Sequence, residues 1–323
     1  MKNVLVTGGA GFIGSHLNDV LIDRGHKVCI VDNLSTGNID NINHLMNNKN
    51  FYFNEGSVLD KELLESLVKK VDIIYHLAAA VGVEYILKNP LNSLKTNIIG
   101  TENVFELAAK YNKKVIFAST SEVYGKSDKV PFREHDDRVL GAAQIMRWSY
   151  ACGKAVDEFF ALAYRDDKKL PVTIMRLFNT VGPRQTGRYG MVVPRFVEQA
   201  LNNRAITVYG DGSQVRCFVH VLDVVRGLVD ISNCPEAEGN IYNIGSDNEI
   251  SIKDLALRVK ELTNSSSEIV YVPYDKAYGR GFEDMSRRVP DISLIRSTIS
   301  YKVDHSLDDI IRDIATYFKS KPN

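Results

Sequence analysis

The sequence is short of cysteine, has no excess charge of either sign and contains no long apolar run. Its 323 residues include 4 cysteines, which are scattered and form no Cys-x-x-Cys pair. This spacing argues against a zinc site or a disulfide framework, and it fits a reducing compartment. The 40 basic and 40 acidic residues cancel, so no overall field attracts nucleic acid or a membrane surface. We therefore expect no metal, no nucleic-acid partner and no membrane partner.

The apolar runs are all well short of the roughly 20 residues that a membrane-spanning helix needs. The chain opens on Met-Lys-Asn and then a strand-like run, which leaves no room for a signal peptide. Together with the pattern of free cysteines, these features predict a cytoplasmic protein.

Short apolar runs alternate with amphipathic stretches through the first half of the chain. The apolar runs predict strands at 3–7, 27–32, 51–54, 73–76 and 114–119, and the stretches between them predict helices at 12–24, 61–68 and 91–111. A helix at 150–164 and a strand at 172–176 continue the pattern. This β-α-β order predicts an α/β fold, namely a Rossmann-type, doubly wound parallel sheet with helices on both faces.

Three glycines mark the turn between the first strand and the first helix. Gly8, Gly11 and Gly14 form a Gly-x-x-Gly-x-x-Gly variant of the dinucleotide fingerprint. The first permits a tight turn, the second lets the backbone approach a pyrophosphate, and the third allows close packing of helix on strand. Asp32 ends the second strand, where a carboxylate accepts a hydrogen bond from a ribose 2′-hydroxyl and repels a 2′-phosphate. The pattern predicts NAD, rather than NADP, as the cofactor.

Tyr150 and Lys154 are four residues apart and therefore lie on one face of a predicted helix. A tyrosine titrates near pH 10 when nothing perturbs it. We expect the neighbouring ammonium and the positive charge of an oxidised nicotinamide to favour the phenolate. Such a base takes a proton from a sugar hydroxyl while the cofactor takes the hydride.

Hydroxyl and carboxylate side chains follow the fifth predicted strand, in the run Ser119-Thr120-Ser121-Glu122. The carboxyl ends of parallel strands are where ligands bind in sheets of this kind. The run therefore predicts catalytic roles for Thr120, Ser121 and Glu122.

With these motifs the chain resembles the extended short-chain dehydrogenase/reductase family of nucleotide-sugar enzymes over nearly its whole length. The resemblance rests on Tyr150, Lys154 and Arg216, on Thr96-Asn97, and on the segments 7–14, 76–79, 119–125, 176–179 and 182–184. It implies cofactor contacts from Gly8, Gly11, Phe12, Ile13, Gly14, Asp32, Asn33, Ser57, Val58, Leu77, Ala78, Ala79, Asn97, Tyr150 and Lys154. It implies substrate contacts from Val83, Glu84, Asn179, Arg188, Val192, Tyr209, Arg216 and Arg288. Family members usually carry Asp where this chain has Ser57, which leaves the adenine contact open.

By this resemblance, Thr120 and Tyr150 bond the sugar 4-hydroxyl, Lys154 holds the nicotinamide ribose and Arg216 clamps a diphosphate. The partner is a nucleotide sugar, expected to be UDP-linked, and the expected assembly is a homodimer formed through helices 91–111 and 150–164. The NAD-binding domain is expected at 1–178, with a returning segment at about 217–245. A smaller, mixed α/β substrate-binding lobe is expected from 179–216 and 246–323.

Three reactions of the family begin with the same oxidation at sugar C4, and residues after Thr120 distinguish them. The 4,6-dehydratases carry an acidic Asp where this chain has Ser121, and a serine is no acid at neutral pH. Thr120-Ser121-Glu122 resembles the UDP-glucuronate decarboxylases, as do the run 147–150 and the stretch 278–292. The resemblance places Arg288 against the substrate carboxylate, where it also helps proton transfer at C5.

Alternatives remain open at this point. The loop 79–85 reads Ala-Ala-Val-Gly-Val-Glu-Tyr, which is more typical of epimerases, so a UDP-hexose or UDP-uronate 4-epimerase is the second hypothesis. A non-catalytic NAD-binding protein is the third, because a fold does not by itself imply a function. The sequence thus favours decarboxylation of UDP-glucuronate to UDP-xylose or its 4-keto pentose.

Overall fold

The structure, a computed structural model, describes residues 1–187, 191–278 and 285–321, without the side chains of residues 83–85 and 278. The predictions for Arg188 and for the side chains of Val83 and Glu84 therefore lie outside the described residues. So do residues 279–284 of the stretch 278–292.

Strands and helices alternate along the first half of the chain and become shorter and more mixed in the second half. The strands are β1 Asn3–Thr7, β2 Lys27–Asp32, β3 Phe51–Glu55, β4 Ile73–His76, β5 Lys114–Thr120, β6 Val172–Leu177, β7 Thr180–Val181, β8 Ile206–Tyr209, β9 Val215–Cys217, β10 Val219–His220, β11 Ile241–Ile244, β12 Glu249–Ser251, β13 Ile269–Val272 and β14 Arg287–Arg288. The helices are α1 Phe12–Asp23, α2 Lys61–Val68, α3 Val83–Lys88, α4 Pro90–Leu94, α5 Gly100–Lys110, α6 Ser149–Lys168, α7 Val192–Leu201, α8 Val221–Ser232, α9 Ile252–Leu262, α10 Tyr274–Tyr278, α11 Ser293–Ile299 and α12 Leu307–Ser320.

Seven parallel strands form the main sheet in the order β11-β6-β5-β4-β1-β2-β3. The chain order reverses between β1 and β4, which makes this the topological switch point where ligands bind in doubly wound sheets. β11, from the predicted returning segment, pairs with β6 at the edge. The Rossmann-type prediction is confirmed, while the division at residues 178 and 179 stays a prediction.

Both faces of the sheet are covered, so its strands are apolar almost throughout, as a parallel sheet requires. One face packs with α1 and α8 around residues such as Leu17, Val225 and Leu228. The other packs with α2, α5 and α6 around Leu64, Phe105 and Ala161. A third cluster joins α7, α9 and α12 in the second half. Among the described residues, no helix combines the length and the apolar character needed to cross a membrane.

The predicted helix 91–111 is broken in the structure by five residues of π-helix, Lys95–Ile99, between α4 and α5. Such a widened turn is invisible to a 3.6-residue apolar pattern, and π-bulges occur frequently at functional sites. Asn97 lies in this segment, with its side chain buried against the loop after β4.

A buried ionic network attaches α6 to the central strands. Glu158 is fully buried and accepts two hydrogen bonds from Arg176 of β6, at 2.9 and 2.7 Å. The Ser119 hydroxyl of β5 donates to the same carboxylate at 2.5 Å, and Arg138 donates to its second oxygen. Because these hydrogen bonds to Glu158 come from outside α6, the carboxylate holds the helix against the ends of β5 and β6.

We expect Arg176→Met to lower the free energy of unfolding by about 3 kcal/mol, because it removes one partner of a buried ion pair. Denaturant unfolding followed by circular dichroism measures the loss. Arg204→Met is the matched control, since Arg204 pairs with Glu198 at the exposed surface and such pairs contribute about 0 to 1 kcal/mol. Equal losses in the two variants would contradict the anchoring role.

Candidate active site

A cavity of about 1150 Å³ opens along the carboxyl ends of the strands at the switch point. Its wall combines the glycine turn, the end of β5, the start of α6 and segments from the second half. Of the predicted site residues, it is lined by Gly8, Gly11, Phe12, Ile13, Gly14, Asp32, Asn33, Ser57, Val58, Leu77, Ala78, Ala79, Thr120, Ser121, Glu122, Tyr150, Lys154, Asn179, Val192, Tyr209, Arg216 and Arg288. The structure therefore brings the predicted cofactor, catalytic and substrate residues together in one cavity.

Asn97 is the predicted cofactor residue, among those described, that does not line this cavity. The side-chain amide of Asn97 makes two hydrogen bonds with the backbone of Ala80. Its Oδ1 accepts from Ala80 N at 2.7 Å, and its Nδ2 donates to Ala80 O at 3.2 Å. The contact of Asn97 with the cofactor stays a prediction. Asn97 positions the loop that follows β4, and that loop lines the cavity.

The backbone of the glycine turn is packed so closely that a side chain at Gly8 would clash with its neighbours. Gly8 has a φ of +73°, and a Cβ there would lie 2.8 Å from Ala78 N. Gly11 precedes α1 and carries no side-chain cap, so the first N–H groups of the helix point toward the cavity. A helix N-terminus of this kind attracts a pyrophosphate through its free N–H groups and partial positive charge.

Asp32 is buried at the end of β2 and is held in place by the backbone. Its Oδ2 accepts from Ala10 N at 2.9 Å, and its Oδ1 accepts from Leu34 N at 2.8 Å. Burial raises the pKa of this carboxyl, and the backbone hydrogen bonds oppose the rise. A carboxylate accepts about four hydrogen bonds, so Asp32 keeps capacity for another donor beside its backbone partners Leu34, Ala10 and Gly11. The glycine turn and this carboxylate therefore fit the pyrophosphate and adenosine ribose of a dinucleotide.

Tyr150 and Lys154 lie in the first two turns of α6 and both line the cavity. Burial raises the pKa of Tyr150, the anionic Glu122 and Asp157 raise it further, and a hydrogen bond with Thr120 opposes the rise. For the protein groups alone the pKa of Tyr150 is therefore raised, and the favourable effect of Lys154 on the phenolate stays a prediction. A phenolate at neutral pH requires positive charge from a bound ligand.

Lys154 is almost fully buried, and its ammonium donates to Ala118 O at 3.0 Å. Asp157 Oδ2 lies 3.7 Å from Nζ, and the ring of Phe117 lies 4.5 Å away. An ammonium has three N–H donors. With one on Ala118 and one toward Asp157, a third remains for a ligand in the cavity.

Glu122 lies between two guanidinium groups at the end of β5. Arg147 Nη1 donates to Oε2 at 2.5 Å, and Arg288 donates to Oε1. Burial acts to raise the pKa of Glu122, but the two arginines outweigh it and lower the pKa to about 2. The two guanidinium groups therefore favour the ionised form of Glu122 at neutral pH.

Arg288 reaches this cluster from β14, which pairs with β9 in a register that places Arg288 opposite Arg216. Its Nη2 donates to Asn179 Oδ1 at 2.6 Å, while Asn179 Nδ2 donates to Cys217 O at 2.8 Å. The hydrogen bonds connect residues 166 positions apart, Glu122 and Arg288. Arg288 thus reaches the end of β5 from the second half of the chain.

Several cavity residues escaped the sequence analysis. Arg147 was noticed only as part of a motif, yet it is 6% exposed and bonds Glu122. Arg195 stacks on the ring of Tyr209 with 3.9 Å to its centroid, and Arg184 pairs with Asp19. Phe318, on α12, also lines the cavity. The hydrophobic pattern of these segments carried no signal for a site, because their positions depend on long-range packing.

The model of a known family, described as GDP-mannose 4,6 dehydratase, matches residues 5–314. The chain belongs to this family. The extended short-chain dehydrogenase/reductase resemblance is thereby confirmed.

Individual members of the family are similar over the full length. The UDP-N-acetyl-alpha-D-glucosaminuronate decarboxylase of Bacillus cytotoxicus is 42% identical, over 100% of this chain and 99% of that protein. The UDP-glucuronic acid decarboxylase 1 of Xenopus tropicalis is 36% identical, over 99% of this chain and 73% of that protein. The UDP-glucuronic acid 4-epimerase of Bacillus cereus, solved with UDP-glucuronic acid and NAD, superposes with a TM-score of 0.89 at 28% identity, covering 98% of this chain and 99% of that chain.

We expect Glu122→Gln to lower the free energy of unfolding by roughly 3 kcal/mol at neutral pH, from a pKa that falls from 4.5 to about 2 on folding. A lowered acid pKa stabilises the fold above the unfolded value and loses that effect as pH falls through the folded value. The difference from the wild-type protein should therefore shrink as pH is lowered from 5 toward 3.

Urea unfolding at a series of pH values measures this difference. Glu62→Gln is the matched control, because Glu62 is exposed on α2 and its replacement should change the free energy of unfolding by less than about 1 kcal/mol. A constant difference between wild type and Glu122→Gln over the series would show that Glu122 is not held ionised by the arginines.

Proposed function

We propose that this protein is an NAD-dependent decarboxylase of UDP-linked uronic acids that works through a 4-keto sugar. The observation that carries the proposal is the Glu122–Arg288 contact, which brings a guanidinium to the cavity that Thr120 and Tyr150 also line. Ser121 stands where the dehydratase chemistry needs an acid, and Glu122 is held ionised. The strand end is therefore equipped to bind a carboxylate and lacks an acid to expel the 6-hydroxyl.

NAD is the cofactor that the glycine turn and Asp32 fit. Gly11 and the start of α1 would hold the pyrophosphate, Asp32 the adenosine ribose and Lys154 the nicotinamide ribose. When bound, NAD supplies a hydride acceptor for sugar C4, a hydride donor for the last step and positive charge near Tyr150.

Tyr150 takes the proton of the sugar 4-hydroxyl as C4 becomes a ketone, and Thr120 orients that hydroxyl. The product is a β-keto acid, so the C5–C6 bond breaks with carbon dioxide leaving and its electron pair passing to the enolate. Arg288 stabilises first the substrate carboxylate and then the enolate charge. C5 takes its proton from water. Bound NAD would supply the hydride that reduces C4 again, and Tyr150 then returns its proton to the C4 oxygen.

The sugar is expected to be glucuronate, with a hydroxyl or an acetamido group at C2. UDP-glucuronate would give UDP-xylose or its 4-keto pentose. The name of the Bacillus cytotoxicus relative contains the N-acetylated sugar, and the names of several other relatives contain the plain uronate. We propose both as the substrate class of this site.

Purified protein with NAD should convert UDP-glucuronate, its 2-acetamido analogue, or both, into a product that is lighter by carbon dioxide. Mass spectrometry of the nucleotide sugar measures the change. Tyr150→Phe should abolish it, and Asp166→Asn, an exposed change on the same helix, should leave it intact. A product of unchanged mass with inverted C4 would overturn decarboxylation.

A UDP-sugar 4-epimerase, acting on a hexose or a uronate, is the second proposal. Val81 and Gly82 line the cavity in the epimerase-like loop, and Gly82 has a φ of +97° that lets the chain turn into α3. The Bacillus cereus 4-epimerase has the same fold. The mass experiment distinguishes the two reactions, because epimerisation changes stereochemistry alone.

We also propose that two copies associate through α4, α5 and α6 and work in the cytoplasm, where the four free cysteines stay reduced. Leu91 on α4 and Phe159 on α6 are each 66% exposed, and Ile99 before α5 is 45% exposed. Large apolar side chains grouped on neighbouring helices are typical of an interface.

The wild-type protein should therefore have the mass of two chains in sedimentation, and the double variant Leu91→Glu/Phe159→Glu should have the mass of one. Burying a carboxylate in an apolar interface is costly, which is the reason for the expected dissociation. Leu257→Glu is the control, because Leu257 is 49% exposed on α9, away from these helices. A two-chain mass for the double variant would place the interface elsewhere.

A further inference from the structure

Lys154 has a buried carboxylate partner one turn further along α6. Asp157 is fully buried, and its Oδ2 lies 3.7 Å from Lys154 Nζ. Its other oxygen, Oδ1, is buried and has no hydrogen-bond partner among the residues that the structure describes. The two charges therefore depend on each other, because a buried ion without its partner is strongly destabilising.

A line of hydrogen bonds runs from Asp157 through the interior to the cofactor side of the cavity. Thr101 Oγ1 donates to Asp157 Oδ2 at 3.4 Å, and His76 Nε2 lies 3.0 Å from the same hydroxyl. His76 Nδ1 lies 2.7 Å from Thr7 Oγ1, which accepts from Ala78 N at 3.2 Å. Ala78 is also the residue against which Gly8 packs.

All the hydrogen bonds in this series can form with each group donating toward Asp157. An ionised carboxylate only accepts, so Thr101 donates to Asp157 and accepts from His76 Nε2–H. His76 Nδ1 then accepts from the Thr7 hydroxyl, which itself accepts from Ala78 N–H. Burial holds the pKa of His76 well below its usual value, so the ring is neutral and this single tautomer fits.

We propose that Asp157, braced by Thr101 and His76, is the positioning residue that keeps Lys154 as a charged ammonium beside the reacting tyrosine. The inference rests on the proposed function for the role of Tyr150 and Lys154. It adds a residue that touches neither substrate nor cofactor and acts through the lysine.

The surrounding charges make Asp157 the counterion of Lys154. Glu158 also bears on Lys154, but it is bonded by Arg176 and Arg138. Glu122 bears on Tyr150 and is bonded by Arg147 and Arg288. Of the three carboxylates, Asp157 is the one whose described cationic partner is Lys154.

Burial works against both members of the pair. It raises the pKa of Asp157 to about 6, with the Lys154 charge opposing the rise. It lowers the pKa of Lys154, and Asp157 is the first group that opposes the fall. Above pH 6 Asp157 is ionised and supports the ammonium, and below pH 6 it becomes neutral and that support is lost.

Asp157→Asn tests the inference by changing the charge and little of the shape. Lys154 should then lose its proton at lower pH, so the basic limb of the kcat/KM profile should move down by about one pH unit or more. The profile is measured with whichever UDP-uronate the wild-type protein turns over. Asp166→Asn, the exposed control on α6, should keep the wild-type profile.

Thermal unfolding gives a readout that needs no turnover. The unfolding midpoint of Asp157→Asn should fall furthest below that of the wild-type protein near pH 4. Because folding raises the pKa of Asp157 to about 6, the wild-type protein gains stability as pH falls from 6 toward 4, and the Asn variant lacks this gain. The gap in midpoint should narrow as pH rises through 6, and narrow again toward the ordinary pKa of lysine, because an uncharged Lys154 needs no counterion. If the wild-type protein turns over no UDP-uronate, the proposed function fails and this arm alone decides the present inference.

A folded Asp157→Asn protein with an unchanged basic limb, or with a midpoint gap that is the same at every pH, would overturn the inference in favour of a purely structural role. If Asp157→Asn does not fold, Thr101→Val replaces it, since that change removes the hydroxyl bonded to Asp157 and keeps the side-chain shape. A smaller shift of the basic limb of the pH profile in the same direction would support the proposed role of Asp157 and its bracing by Thr101. An unchanged basic limb would overturn the inference.

Discussion

The attachment of α6 to the ends of β5 and β6 is the constraint on which the rest of the site depends. Glu158 holds the helix from the side of the strands through Arg176 and Ser119. The same helix presents Tyr150 and Lys154 to the cavity, one turn apart. A small rotation of α6 would move the tyrosine away from Thr120, so the buried network sets the geometry of the reacting groups.

Burial disfavours the charged forms of Glu122 and Lys154, and partners of opposite charge offset this effect at both residues. Glu122 is kept ionised by Arg147 and Arg288, against the effect of burial. Lys154 is buried beside Asp157, and the pKa of Tyr150 is raised rather than lowered. The fixed charges of the site therefore lie on Glu122, Lys154 and their partners. Tyr150 stays neutral in the absence of a positively charged ligand.

Decarboxylation and 4-epimerisation both begin with oxidation at sugar C4, and residues from the second half of the chain favour one over the other. Arg288 comes from β14 and reaches the strand end over a long sequence separation. It meets Glu122, the neighbour of a serine that has no acidic function. This combination is suited to a substrate with its own carboxylate, which explains why decarboxylation is the favoured proposal on a fold that also carries epimerases.

The sequence by itself determined the sheet, the glycine turn and the candidate catalytic residues at the end of β5 and the start of α6. Periodicity and glycine spacing are local properties, and β1, β2, β4 and α2 begin and end where the pattern predicted. The π-helical turn at Lys95–Ile99 and the amide of Asn97 turned against Ala80 were not predictable, because their causes lie in contacts with the loop after β4. Tertiary structure alone decided the charge states. Arg147, Arg288 and Asp157 set the protonation of Glu122 and Lys154 through burial and contact, and neither burial nor contact is written in the spacing of residues along the chain.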